Sequence, residues 1–323
     1  MTSFIVRPIK QEEWEKFAAI GCAPEHVAGC QRYLEQMLAA GSMRIDWCFV
    51  AEEAGQLIGR IASWTLPSVG KPLDFVLLDL PWEREDYLAI GSALVHEVVA
   101  LVRSLGGEQV GHVLDTPAVS PQWQHHPERR QALLSHLGFQ VERKTNRFEW
   151  NSAVQVGEPA SGSTAAQRAG ELQYRSLADV GQDAFVQAVM RVSEGTFDQY
   201  IREERERLGA LEQANSFFTE LQHMTYEPNW WQLAYTPGGE LVGLIMPTQT
   251  PGFATIGYIG VVPEQRGKGY VHALLYHGTR ILLDSGAVVI RTDTDIDNVP
   301  MAQAFLAAGY HLFTSRSEYL VKS

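Results

Sequence analysis

The sequence predicts a mixed α/β fold made twice, and three observations carry that prediction. The chain has 323 residues, more than one core commonly serves. Its two halves repeat the same order of strand-like and helix-like segments. Between them, Asn151 to Leu172 is rich in Ser, Gly and Ala and lacks apolar periodicity, so it reads as a linker. The expected organisation is therefore a domain at 1–150, a linker at 151–172 and a second domain at 173–323.

The elements follow in parallel. Each half opens with an extended piece, FIVRPI from Phe4 and LQYRSL from Leu172, and a helical region comes next. Then a hairpin is signalled by apolar runs flanking a turn, Ala54-Gly55 in one half and Pro237-Gly238-Gly239 in the other. EQVGHVLDT, Glu108 to Thr116, parallels AVVIRTDTD, Ala287 to Asp295. Each is followed by an expected helix, closed by Gly138 or Gly309, and then by two expected strands.

Composition narrows the class. With 45% hydrophobic and 20% charged residues the chain reads as globular and water-soluble. A net charge of -12 argues against a nucleic-acid partner and permits a cationic substrate. No apolar run approaches the ~20 residues of a membrane helix, so no membrane partner is expected. The N-terminus turns charged too early for a signal peptide. Cys22, Cys30 and Cys48 lack CxxC spacing and read as free thiols, small buried side chains in a reducing cytoplasm.

The most informative stretch is GYIGVVPEQRGKGYVHALLYHG, Gly257 to Gly278. The β-branched run from Ala254 predicts a strand that Pro263 ends. From Gly269, apolar residues at Val271, Leu274, Leu275, Ile281 and Leu282 predict a helix, with Gly278 on the stripe allowing close packing against a strand. Arg266, Gly267, Lys268 and Gly269 thus precede a helix N-terminus, where free N–H groups and the dipole favour an anion. Glycines there let successive N–H groups converge. Walker A does not fit, since Val262 stands where its first glycine belongs and Gly269 where it needs Ser or Thr. A dinucleotide fingerprint would need glycine at His272.

Val261, Pro263, Arg266, Gly267 and Gly269 resemble the V-x-P-x-x-R-G-x-G signature of the GNAT N-acetyltransferase superfamily. Asn298, Met301, Phe305, Gly309 and Tyr310 carry the spacing of a second GNAT pattern, N-x-x-A-x-x-x-Y-x-x-x-G-[FY]. The resemblance runs from about Leu172 to the C-terminus and more faintly through the first half. It implies two tandem GNAT-like domains, each a mostly antiparallel mixed sheet with a splayed central strand pair, flanked by helices. It also implies acetyl-CoA as acyl donor, its pyrophosphate on Arg266, Gly267, Lys268, Gly269, Tyr270 and Val271. The pantetheine arm would run along Ile259, Gly260 and Val261, with Asn298 near it. The acceptor implied is the amine of a small molecule, attacked directly in a ternary complex, by a monomer or homodimer. Two departures stand out: Val271 holds a place usually Gly or Ala, and Phe305 replaces a tyrosine that in many relatives protonates the CoA thiolate. Tyr310 reads as structural.

The first half departs further. Pro81 and Arg84 align with Pro263 and Arg266, but Glu83, Glu85 and Asp86 fill the loop and would repel a pyrophosphate. Leu134 and Pro127 stand at the Tyr and Asn positions. This half reads as a degenerate copy that packs on the second and walls its cleft.

For the general base, several residues remain open. Glu194 and Asp198 lie four apart and would share a helical face, Glu227 precedes a strand, and Tyr258, Tyr270, Tyr276 or a water would supply the acid. Asp295 or Asp297 reads as a cap for the helix that follows. His272 and His277 are five apart, off a shared helical face, so no metal site is read. Two other readings stay open: a non-catalytic acyl-CoA-binding or sensing protein, and a specialised transferase of the mycothiol-synthase type.

Overall fold

In a computed structural model that describes residues 4–67, 69–152, 163–250 and 252–322, the first half runs β1 (Phe4–Pro8), α1 (Trp14–Ala19), α2 (Val27–Ala39), β2 (Cys48–Glu53), β3 (Gln56–Trp64), β4 (Asp74–Asp79), α3 (Tyr87–Ser104), β5 (Gln109–Thr116), α4 (Pro127–His136) and β6 (Gln140–Asn151). The second runs α5 (Thr164–Glu171), β7 (Gln173–Ser176), α6 (Leu177–Val192), α7 (Gln199–Leu208), α8 (Ala210–Leu221), β8 (Gln232–Tyr235), β9 (Leu241–Gln249), β10 (Ala254–Val261), α9 (Tyr270–Asp284), β11 (Val289–Asp295), α10 (Val299–Ala307) and β12 (His311–Lys322). The expected order is present in both halves. Gly138 and Gly309 end α4 and α10 at positive φ, but a single long strand, not two, follows each.

The chain divides into unit 1, Met1–Lys144 with Thr314–Ser323, and unit 2, Thr145–Phe313. The halves exchange their last strands. Ser315–Lys322 of β12 pairs antiparallel with β5, and Thr145–Asn151 of β6 pairs antiparallel with β11. The strand order is β1-β2-β3-β4-β5-β12 in unit 1 and β6-β11-β10-β9-β8-β7 in unit 2. The linker reading needs correction. Residues 153–162 lie outside the described residues, but Thr164–Glu171 is a helix capped by Ser163, whose Oγ accepts from Ala166 N at 3.1 Å. Ala169 and Leu172, three apart, bury themselves in the core of unit 2. So short an apolar stripe is hard to see in an Ala-rich segment.

Each sheet carries a core on both faces. In unit 1, α3 and α4 cover one face around Phe75, Leu94 and Leu133, and α1 and α2 the other around Phe17 and Leu34. In unit 2, α9 and α10 cover one face around Ile256 and Phe305, and α6 and α8 the other around Phe218 and Trp231. α3 is long and apolar enough to pass for a membrane span, but Ile90, Leu94, Val98 and Val102 make its inner face part of the core.

Two features of unit 2 shape the site. A bulge at Gly257 shifts the register of β10 on β9 between Ile256 and Tyr258. Beyond it, β10 leaves β11, their parallel pairing being confined to Ala254 and Ile290. Glycine permits the tight packing around this splay. A Cβ on Gly278 would lie 2.5 Å from Ile245 Cγ1, which is the close strand contact its place on the helical stripe predicts, and a Cβ on Gly260 would lie 2.7 Å from Val192 Cβ.

Candidate active site

The turn between β10 and α9 has a backbone shape that can receive an anion. Pro263–Gln265 makes one short turn after the strand. Gly267 and Gly269 then take φ of +73° and +79°, and Gly269 caps the 15-residue α9. The N–H groups of Gly267, Lys268, Gly269, Tyr270 and Val271 find no protein acceptor among the described residues. Five consecutive free donors at a helix N-terminus form a nest for an anion such as a pyrophosphate. The bulk of Val271 removes none of them.

The cations around this nest do different jobs. Arg266 does not aim its guanidinium into the nest. It donates to Val192 O at 2.9 Å, Glu194 O at 2.6 Å, Gly195 O at 3.2 Å and Val261 O at 3.1 Å. It therefore ties the C-terminal end of α6 to the end of β10, and its contribution to an anion is the shape of the turn. Lys268 Nζ donates to Gln265 Oε1 at 2.8 Å, and its charge stays beside the nest. The sequence reading missed Arg168, on α5. It donates to Lys268 O and stands over the Tyr270 ring, 5.8 Å from its centre. Nothing in a segment read as linker pointed to it.

The splay leaves one edge of β10 facing the gap. Among the described residues, side-chain hydrogen bonds to the backbone of Ile256–Val261 come from Thr292 Oγ1, to Ile256 O at 3.2 Å, and from Arg266. Ile259 and Val261 pack toward α9 and α10, and Tyr258 toward α8. An extended ligand arm can add to this edge as a strand would. Asn298 is the N-cap of α10, its Oδ1 accepting from Met301 N at 3.3 Å. Phe305 is buried against Phe148 and Tyr310, with ring centres 5.2 and 5.5 Å away. Tyr310 is buried with its hydroxyl 2.7 Å from Thr279 Oγ1, so it is structural as read.

The acid and base candidates separate. Glu194 and Asp198 do not share a helix. α6 ends at Val192, Gly195 turns the chain at φ +58°, and Asp198 caps α7 by accepting from Ile201 N at 3.0 Å. Glu194 is exposed on the turn. Asp198 lies close enough for its charge to act on Tyr258, whose hydroxyl pKa is pushed up first by burial and then by that carboxylate. Tyr258 meets Phe217 edge-on at 4.6 Å. Glu227 is exposed beyond Thr225, which pairs with Gln249. That is three strand positions, roughly 10 Å, from Met246, the partner of Tyr258. Asp295 accepts from Gln199 N at the start of α7 at 2.9 Å, while the N-cap of α10, the helix that follows it, is Asn298. Among the described residues no metal-binding cluster is present.

Unit 1 repeats the frame with the chemistry reversed. β4 and β5 pair in parallel only at Asp74 and Gly111, so the splay is there. Its gap is filled by side chains from the β5–α4 connection and α4. Gln122 Oε1 accepts from Leu77 N at 3.2 Å. Gln124 accepts from Asp115 N at 2.9 Å and donates to Val113 O at 2.6 Å. Arg130 donates to Leu78 O and, at 2.7 Å, to Asp79 Oδ1. At the turn before α3, Arg84 binds Asp86 at 2.7 Å and Glu53 at 2.8 Å, so its charge is spent within the protein.

The acetyltransferase (GNAT) family model matches residues 195–310. A GCN5-related N-acetyltransferase from Sphaerobacter thermophilus is 15% identical, with 99% of this chain and 95% of that chain covered and a TM-score of 0.62. A tandem GNAT protein from the clavulanic acid biosynthesis pathway is 17% identical, with 99% and 98% covered and a TM-score of 0.53. The glucosamine N-acetyltransferase region of a fungal multi-domain β-N-acetylglucosaminidase is 12% identical, with 99% of this chain and 38% of that one covered and a TM-score of 0.59. No curated protein matches the sequence significantly. Residues 195–310 thus carry the GNAT acetyltransferase domain of a chain that folds as a tandem GNAT protein.

Proposed function

We propose that the protein moves an acetyl or other short acyl group from CoA to an amine of a small molecule, by direct attack in a ternary complex within unit 2. The observation that carries this reading is the run of five free N–H groups from Gly267 to Val271 at the end of a splayed strand. The nest suits the pyrophosphate of acetyl-CoA, with Lys268 beside it. The open edge of Ile259, Gly260 and Val261 suits the pantetheine arm, with Asn298, at the start of α10, as a polar group for that arm. A backbone N–H near the bulge stabilises the carbonyl oxygen as it gains charge. Asp198 takes the amine proton through a water, and that proton is returned to the departing thiolate. Tyr258 helps shape the acyl pocket.

A second reading has one observation in its favour. Phe305 is 1% exposed and has no proton to give, which suits a protein that binds acyl-CoA without turning it over. Incubation with acetyl-CoA and a broad amine panel, followed by thiol release, separates the two. Release with any amine above the hydrolysis rate supports the transferase. Tight binding without release across the panel supports the sensor.

A further inference from the structure

We propose that Cys22 and Cys30 form a peroxide-reactive dithiol in unit 1, with Cys22 held as the thiolate that neutralises the buried Arg60–Asp79–Arg130 network and Cys30 as its resolving partner.

The argument begins with charge. The side chains of Arg60, Asp79 and Arg130 are 0%, 3% and 1% exposed. Arg60 binds Asp79 Oδ2 at 2.7 Å and Arg130 binds Asp79 Oδ1 at 2.7 Å. A guanidinium keeps its proton in proteins, so two positive charges share one carboxylate. Among the described residues, Asp79 is the one carboxylate hydrogen-bonded to either guanidinium. A buried net positive charge costs several kcal/mol unless an anion meets it. The remaining partners of Arg60 include two thiols: Nη1 lies 3.3 Å from Cys30 Sγ and Nη2 lies 3.5 Å from Cys22 Sγ.

One thiolate closes the balance, and the surroundings select Cys22. It is half-buried at the α1–α2 turn and so within reach of small reagents, whereas Cys30 is buried on α2. The neighbouring Cys30 thiol and the Arg60 guanidinium lower the Cys22 pKa to about 6, while that of Cys30 is pushed up. The groups facing the pair are Arg60 from β3 and Asp79 from β4, with Tyr33 on the helix of Cys30 and Arg130 behind Asp79. Cys48, in the same buried cluster, donates its thiol to Arg44 O at 3.3 Å, and burial pushes its pKa up.

A low-pKa thiolate beside a second thiol is the arrangement that reacts with hydroperoxides. The Cys22 thiolate attacks one peroxide oxygen; the S–O bond forms, the O–O bond breaks, and the departing oxygen takes a solvent proton. The Cys30 sulfur then attacks Cys22 sulfur; the S–S bond forms, the S–O bond breaks, and hydroxide leaves with the Cys30 proton as water. Two thiols are oxidised by two electrons and the hydroperoxide is reduced by two.

The test uses the full chain and hydrogen peroxide. Iodoacetamide should alkylate Cys22 at rates that differ by less than about threefold between pH 6.5 and 8.5, against about 50-fold for an ordinary thiol of pKa ~8.5. After peroxide, peptide mapping should show Cys22 and Cys30 joined, Cys48 untouched, and full recovery with dithiothreitol. Cys30→Ser should trap a dimedone-reactive sulfenic acid on Cys22, and Cys22→Ser should abolish both products. An ordinary pH profile at Cys22 would overturn the proposal. So would peroxide that leaves both thiols alkylatable, or no dimedone adduct in Cys30→Ser.

Discussion

The two splayed strand pairs differ in what meets their open edges. Beside β10 the gap leaves a backbone edge open, and the following turn presents N–H groups that find no acceptor among the described residues. Beside β4 the gap is stitched shut by Gln122, Gln124 and Arg130, and the turn is filled by Arg84 with its own carboxylates. The source of the difference is a connection. Between β11 and α10 the chain needs only residues 296–298, whereas between β5 and α4 it runs through 117–126 and brings both glutamines. A splay exposes backbone donors and acceptors that must be met by something. In unit 2 an extended ligand is suited to do so, and in unit 1 a longer loop does it permanently. Unit 1 therefore keeps the frame of unit 2 while its own side chains fill the gap and the turn.

The sharpest way to break this comparison is to pull the stitch. Arg130→Ala strips donors from Leu78 O and His125 O and breaks a buried ion pair with Asp79. The expected loss is about 3–5 kcal/mol of folding stability. Urea denaturation measures it, and a loss below about 1 kcal/mol would mean that the unit 1 gap does not depend on this side chain. Arg84→Ala, on a solvent-screened pair, should cost far less than Arg130→Ala.

The next effect lies on the other side of the comparison. Gly269→Asp puts a carboxylate at the nest and a side chain at φ +79°. Acetyl-CoA affinity should fall by more than about 2 kcal/mol, roughly 30-fold. Calorimetry on wild type should give one site per chain, because the unit 1 turn carries its own anions. Unchanged affinity in the variant would remove the nest from the proposal, and two sites per chain would undo the asymmetry itself.

These two tests also mark how far the sequence could be read. The glycine pair, the cations and the strand before them were legible because a nest and a helix start are local, set by adjacent residues. The departure of the first half from that pattern was legible in the same way, in Glu83, Glu85 and Asp86. Strand exchange was not, since it depends on which sheet edge a terminal strand reaches. Arg168 was hidden because its helix is too short and Ala-rich to show a stripe. The guanidinium of Arg266 was expected near the anion, and finding it on the end of α6 shows that a cation in a motif can serve shape rather than charge. The pairing of Glu194 with Asp198 failed because Gly195 breaks the helix on which the spacing argument depended.

A smaller effect should be common to both units. Each holds a histidine that its surroundings keep neutral: His112, buried on β5, its pKa lowered to about 3 by burial, and His277, half-buried on α9 against Tyr174, lowered to about 4 by desolvation. Both folded values lie below the ordinary 6.5, so the unfolded chain takes up protons first as pH falls. Stability from these groups is present above about pH 6.5 and is lost on acidification toward the folded values. Between pH 7 and pH 5 each should cost on the order of 1–2 kcal/mol. Denaturation of His112→Leu and His277→Leu at both pH values should show a smaller acid loss in each variant. An undiminished loss would assign it to other groups.

The smallest effect concerns Tyr258, and it asks whether unit 2 needs a protein acid at all. Beyond the bulge, Tyr258 pairs with Met246 on β9, where the corresponding pair in unit 1 is Asp79 with Arg60. With Phe305 sealed in the core, Tyr258 is the tyrosine of β10 and the nearest candidate to protonate a leaving thiolate. Its surroundings argue against that duty. Burial and the Asp198 carboxylate push its pKa up, which makes it a reluctant proton donor. A thiol of pKa ~8.5 is already a fair leaving group near neutral pH. The proton released by the attacking amine can be carried back through the same water. Tyr258→Phe should then keep at least about a tenth of wild-type turnover, a cost below ~1.4 kcal/mol, and Tyr270→Phe and Tyr276→Phe should do the same. A hundredfold fall in Tyr258→Phe with acetyl-CoA affinity intact would make Tyr258 the acid. The same fall accompanied by weakened acetyl-CoA binding would instead mark its ring, packed on Phe217, as a wall of the acyl pocket.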